Sequence, residues 1–209
     1  MLLILCGASC TGKSTLAHMA ILDGWKPYKT ATTRPKRFPS EEEYIFKTDA
    51  EFEDCDFIES RTYSVEGGVW KYGTPKIDIN NDDYVIILDV EGAKKVIDYY
   101  GVDNCLCVGI LCDDVERCSR AYSRPGFDKK EWRRREKADF VDFSYEKMSE
   151  VCNAFVSNTY DDPEYAYGDI MLIVGAFKTM VKEKGISYYF NVAYDDTVDE
   201  LGVDVIEKK

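Results

Sequence analysis

The sequence predicts an α/β domain: a parallel sheet covered by helices on both faces, in three α/β/α layers, carrying a small β-rich insertion and a helical flap. Three observations lead there. Short, uninterrupted apolar runs stand at Leu2 to Cys6, Tyr84 to Val90 and Cys105 to Leu111, with a weaker one at Ala154 to Ser157. Strands buried on both faces read this way, whereas half-exposed strands alternate. Plausible helices separate these runs, as the crossovers of a parallel sheet require. Finally, the glycine-rich segment GASCTGKS at residues 7–14 follows the first run and opens a helix through about Leu22.

Each element follows in order. The first run and the helix behind it form a strand, loop and helix. Residues 30–80 then break the rhythm: Thr, Tyr, Lys, Glu and Gly dominate, with Pro35, Pro39 and Pro75 as punctuation. This reads as an inserted lobe of short strands, with a loop from Arg61 to Lys71. The runs at 84–90 and 105–111 return the chain to the sheet. Between Val115 and Lys147 charge dominates, including Arg133, Arg134, Arg135 and Glu136, which suits a mobile helical flap. Arg133 and Arg134 are expected on its solvated face. Ile170 to Lys184 reads as a helix packed on the sheet. Ile186, Tyr188, Phe190, Val192 and Tyr194 then alternate at strand period and acidic residues follow, giving an edge strand and a solvated tail. The expected layout is one domain over 1–209, with a core of 1–29, 81–115 and 148–209, the lobe at 30–80 and the flap at 116–147.

A chain of 209 residues, 45% hydrophobic, buries one sizeable core. Its net charge of -12 opposes binding to nucleic acid or to an anionic membrane, since both attract basic surfaces. The eight cysteines form no C-x-x-C pair, and the single histidine, His18, is not spaced with them as a ligand, so reduced thiols and no structural zinc are expected. Leu2 to Leu5 is too short for a signal-peptide core or a membrane span, which points to the cytoplasm. The oligomeric state stays open.

Gly7, Gly12, Lys13 and Ser14 satisfy G-x-x-x-x-G-K-[ST] in the strand-to-helix context the motif needs. The expected core is therefore that of a P-loop NTPase. Residues Gly7, Ala8, Ser9, Cys10, Thr11, Gly12, Lys13, Ser14 and Thr15 would wrap the ATP phosphates, because a curled loop points successive N–H groups inward and the helix N-terminus adds partial positive charge. Lys13 would bridge the β- and γ-phosphates, and the Ser14 hydroxyl would meet Mg2+. The motif names a nucleoside triphosphate and leaves the reaction open.

Beyond the loop come Thr32-Thr33-Arg34-Pro35 with Arg37, Tyr44-Ile45-Phe46, Glu59, Tyr72-Gly73-Thr74 and Leu88-Asp89-Val90-Glu91-Gly92. In this order and spacing the chain resembles the guanylate kinase family over roughly its first 180 residues. The resemblance implies transfer of the ATP γ-phosphoryl group to a nucleoside monophosphate, GMP or dGMP or a related (d)NMP. It implies that Arg34 and Arg37 fork the acceptor phosphate with help from the hydroxyls of Tyr44 and Tyr72. It places Thr30 and Thr74 near the O6 side of the base and Glu59 at its N1 and N2 edge. Asp89, ending an apolar strand, would hold Mg2+, with a helix-cap role as the alternative. One departure stands out: where the family usually has an acidic base contact, this chain has Ile87. That loss points toward a broadened base range.

Phosphoryl transfer is stabilised mainly by alignment and positive charge. Arg117, Arg120, Arg124 and Arg135 lie on the flap, and the spacing of Arg124 and Arg135 resembles the family's pair of lid arginines, so Lys13, Arg34, Arg124 and Arg135 are the expected catalytic set. Asn158, just past the last apolar run, matches an asparagine that the family keeps near the ATP adenine. The alternatives are a sugar-phosphate kinase of this fold, which would lack much of the base-binding lobe, and a non-catalytic protein-binding module, which would not need Lys13 and Ser14.

Overall fold

A computed structural model describes residues 1–65, 68–159, 162–184, 188–195 and 200–207 of the chain. It opens with β1 (Leu2–Cys6), α1 (Lys13–Leu22) and the two-residue β2 (Lys26–Pro27). An excursion follows through β3 (Ala31–Thr32), β4 (Ile45–Phe46), α2 (Asp49–Glu53), β5 (Phe57–Val65) and β6 (Gly68–Pro75). The chain returns through β7 (Tyr84–Leu88), α3 (Val90–Tyr100) and β8 (Cys105–Leu111). Three helices, α4 (Asp114–Tyr122), α5 (Lys129–Asp142) and α6 (Tyr145–Ser149), lead to β9 (Ala154–Ser157) and the long α7 (Pro163–Lys184). The last described elements are β10 (Tyr188–Asp195) and β11 (Glu200–Glu207).

The main sheet runs β2-β7-β1-β8-β9, and every pair in it is parallel. All five residues of β1 are buried because it is the central strand and helices cover both faces. Its alternating side chains divide the core in two. Leu3 and Leu5 pack with Leu16 and Ala20 of α1 and with Ile170 and Ile173 of α7. Leu2, Ile4 and Cys6 pack on the other face with Ala93 and Val96 of α3 and with Met148 of α6. All eight cysteines are free; Cys6, Cys105, Cys107 and Cys152 serve as small core residues, with the Cys107 and Cys152 sulfurs 3.7 Å apart.

The excursion forms a second, four-stranded sheet, β4-β3-β6-β5. Here the expected loop from Arg61 to Lys71 is corrected: most of it belongs to the β5–β6 hairpin, with Arg61 opposite Tyr72 and Tyr63 opposite Trp70. Tyr63 stands opposite Trp70 and meets the Tyr72 ring edge-on at 5.6 Å, a cross-strand packing that polar neighbours disguise in the sequence. The strand expected to reach Val90 stops at Leu88, because Asp89 accepts from the Gly92 amide at 2.7 Å and starts α3. The helix expected from Ile170 begins at Pro163, a residue suited to a first helical turn. The tail is also corrected: residues 200–207 pair antiparallel with 188–195 in a separate two-stranded sheet, so the acidic segment contains a strand. Ile186 lies outside the described residues. Among the described residues no helix is long and apolar enough to cross a membrane.

Candidate active site

The phosphate loop leaves β1 at the carboxyl edge of the parallel sheet, where open α/β sheets bind ligands. Gly12, at φ 93°, turns the chain into α1, and a Cβ there would stand 2.1 Å from the Asn158 side-chain nitrogen. Gly7 is equally constrained, since its Cβ would meet the Ile110 carbonyl oxygen at 2.5 Å. Lys13 folds back over the loop, donating to the Ala8 carbonyl at 2.5 Å and to Thr11 Oγ1 at 3.3 Å. Burial lowers its ammonium pKa to about 8, so the site holds a cation that an incoming anion would stabilise. Ser14 and Thr15 are exposed on the first turn of α1 and do not line the cavity described next. Asn158 stands behind the loop: buried at the end of β9, it donates to the Thr11 carbonyl at 2.8 Å. Its amide is thus committed to shaping the loop.

A cavity of about 480 Å3 joins this loop to the inserted lobe. Gly7, Ser9 and Lys13 line one part, Thr30, Arg37, Tyr44, Glu59 and Tyr72 another, and Ile87, Leu88 and Asp89 also contribute. Arg37 is exposed there. Arg34 is not on the wall. Its side chain is buried and paired with Glu41 at 2.6 Å, also donates to the Pro35 carbonyl at 2.8 Å, and lies 5.2 Å over the Tyr44 ring. A guanidinium at that depth requires a counter-charge, which the sequence gives no means of assigning. Glu41 also accepts from the Arg37 backbone N–H at 2.7 Å, so one carboxylate organises both arginines.

Glu59 and Thr74 are cross-strand partners, and the Thr74 hydroxyl donates to Glu59 Oε1 at 2.7 Å. Thr74 itself stands off the wall. The second oxygen, Glu59 Oε2, is buried with no hydrogen-bond partner, and burial pushes the carboxyl above its usual range. An orphaned acceptor in a cavity wall is a position for a ligand N–H. Ile87 presents an apolar surface there, 36% exposed.

Asp89 has one oxygen on the α3 cap; the other accepts from the Tyr63 hydroxyl at 3.0 Å and lies 3.2 Å from Arg61 Nε. Arg61 also reaches Glu91 at 2.8 Å. Arg61, Tyr63 and Trp70 all line the cavity and were absent from the sequence-based set. A signal existed: Arg61 lies two residues beyond Glu59, hence on the same strand face.

The flap lines the cavity with Glu131, Arg134, Arg135 and Asp139 of α5. Arg135 binds Glu131 at 2.8 Å, and Arg134 holds the same carboxylate in a fork at 2.7 and 2.9 Å, driving its pKa down to about 2. Arg134 thus reaches the cavity instead of being solely solvated. Arg124 is exposed in the turn after α4 and is not on the wall. Arg117 is buried instead, bound to the Ser9 carbonyl at 2.9 Å and to Asp139 at 2.8 Å.

A three-layer parallel sheet with a phosphate loop after its central strand defines the P-loop α/β class. Within it the chain has a guanylate-kinase-like fold: a crystal structure of guanylate kinase from Anaplasma phagocytophilum matches with a TM-score of 0.58, covering 88% of this chain and 94% of that chain at 17% identity. No protein-family model matches the sequence, and no curated protein does.

Proposed function

We propose that the chain is a kinase that moves the γ-phosphoryl group of ATP onto the phosphate of a nucleoside monophosphate, GMP or dGMP or a related (d)NMP. The observation that carries this reading is the cavity shared by Lys13, Arg37, Tyr44 and Tyr72, with the orphaned Glu59 oxygen in its wall. Loop amides and Lys13 would grip the donor phosphates; Arg37 and the two tyrosine hydroxyls would hold the acceptor phosphate. Glu59 would accept base N–H groups, with Thr74 fixing its orientation. Arg34 supports the subsite from behind Tyr44, and Arg135 and Arg134 would leave Glu131 to meet charge developing on the moving phosphoryl group. As the acceptor oxygen bonds to Pγ, the bond from Pγ to the β–γ bridging oxygen breaks, and flap closure keeps water from taking the phosphoryl group.

The charges support a role for Mg2+. Lys13, Arg37, Arg61, Arg134 and Arg135 face Glu59, Asp89, Glu131, Asp139 and Asp142, so the cavity carries no excess positive charge for two phosphate-bearing ligands. Among the described residues no cluster of three metal-ligating side chains exists. Mg2+ fits such a sparse donor set, because it usually takes one or two carboxylates together with substrate phosphates. Asp89 Oδ2 and the Ser14 hydroxyl are the oxygens that would hold it, and when bound it supplies neutralisation of the donor phosphates.

A coupled ADP-release assay across the GMP, AMP, CMP, UMP and deoxy series tests the reading. Turnover with at least one monophosphate, abolished by Lys13→Ala and raised at least tenfold in acceptor KM by Arg37→Ala, is expected. ATP binding without turnover of any of them rejects it. Ile87 favours one refinement, a base range wider than guanine, because an alkyl side chain cannot accept from an exocyclic amino group.

A further inference from the structure

Asp139 is the one carboxylate that bonds to the phosphate loop among the described contacts. Its Oδ2 accepts from the Ser9 backbone N–H at 2.8 Å and from Arg117 Nη2 at 2.8 Å, and its Oδ1 lies 3.3 Å from the Ser9 hydroxyl. Arg117 Nε donates to the Ser9 carbonyl at 2.9 Å, closing a ring of contacts between α4, α5 and the loop. Asp139 is 8% exposed and borders the cavity. Beside it, Trp132 of α5 packs with Ala121 of α4 and with Cys10 of the loop. A backbone amide, a hydroxyl and a guanidinium are the donors a phosphate oxygen takes. Asp139 therefore meets the loop as an anion would.

We propose that Asp139 is an internal competitor for the donor phosphates: its carboxylate holds α5 on the phosphate loop through Ser9, and a nucleotide phosphate binds at that end of the loop by displacing it. Two anions cannot share the Ser9 N–H in a partly dry site without strong repulsion. Nucleotide affinity is then set by this exchange as well as by the loop's own donors. Displacement also frees Arg117 Nη2 beside the arriving phosphate, so the flap answers to occupancy of the loop. The inference rests on the phosphate loop being a nucleotide site and does not involve the acceptor.

Calorimetric titration with ATP, and separately with inorganic pyrophosphate, in the absence of any monophosphate tests it. Asp139→Asn is expected to tighten both ligands about tenfold over wild type, the scale of one charge-assisted hydrogen bond no longer contested. Weaker or unchanged binding by a folded Asp139→Asn protein overturns the proposal and leaves Asp139 a structural brace. Should that variant fail to fold, wild type gives the answer: ATP should change acrylamide quenching of Trp132 as the Asp139 carboxylate leaves Ser9 and α5 resettles against Cys10, a change missing in Trp132→Phe. An unchanged Trp132 signal at saturating ATP overturns it equally. If Lys13→Ala binds ATP like wild type, the donor-site reading falls and this proposal with it. If the monophosphate panel is negative while Asp139→Asn tightens ATP, only the acceptor assignment falls.

Discussion

Replacing Glu59 by glutamine should move stability and substrate use in opposite directions. The carboxylate keeps one oxygen on Thr74 at 2.7 Å and leaves the other buried without a partner, at 8% residue exposure. An unsatisfied buried polar group costs about 1–3 kcal/mol, and an amide costs less to bury than a carboxylate. Glu59→Gln should therefore stabilise the free protein by about 1 kcal/mol, or about 2–4 °C in Tm for a domain of this size. The same change removes the acceptor that a base N–H would use, worth about 1.5–3 kcal/mol for a charged partner, so acceptor KM should rise about 10- to 150-fold. The pH dependence provides a second check. Burial raises the folded carboxyl pKa above that of the unfolded chain, so its destabilising effect is fully present above the folded value and fades as pH falls toward the unfolded value. Tm differences between wild type and Glu59→Gln should shrink over that acidic window. A lower Tm at neutral pH combined with unaltered acceptor KM would refute the reasoning and make Glu59 a structural residue.

Three further outcomes are expected. Because burial lowers Lys13 to about 8 and phosphate favours its charged form, ATP affinity should fall as pH rises above about 8, with proton uptake visible in calorimetry across buffers of different ionisation enthalpy; pH-independent affinity between roughly 7 and 9.5 counts against it. Glu41→Ala strands the buried Arg34 guanidinium and should cost about 3–5 kcal/mol in denaturant unfolding, whereas Arg34→Met with Glu41→Leu should cost far less; equal losses would contradict the pairing. Arg61→Ala releases Asp89 Oδ2 from a competing cation and should lower the Mg2+ concentration for half-maximal activity by about 2- to 5-fold; an unchanged requirement would remove Asp89 from the metal site.

How far the sequence reaches depends on what fixes each feature. Leu2–Cys6 and Cys105–Leu111 announce themselves because strands buried on both faces must be apolar throughout, and the phosphate loop because its glycines and lysine are dictated by local geometry. The two-residue β2, β3 and β4 are too short to show a period, and β11 was hidden because Gly202 and the acidic Glu200, Asp204 and Glu207 interrupt its apolar residues. Within the site, Arg37, Tyr44 and Glu59 were singled out through the family resemblance, and all three line the cavity. The pairings Arg34–Glu41, Arg117–Asp139 and Arg61–Asp89 were not, since the depth of a charged side chain is decided by tertiary partners.

The clasp between Asn158 and the phosphate loop orders events during synthesis. Residue 158 emerges 147 positions after Thr11, whose carbonyl it holds at 2.8 Å, and it reaches that carbonyl only when β9 has docked beside β8. A nascent chain that displays the whole glycine-rich motif still lacks the support that shapes it. Nucleotide should therefore bind late, after the edge strand is in place, and its binding energy should reward completion of the entire sheet rather than survival of the amino-terminal fragment alone.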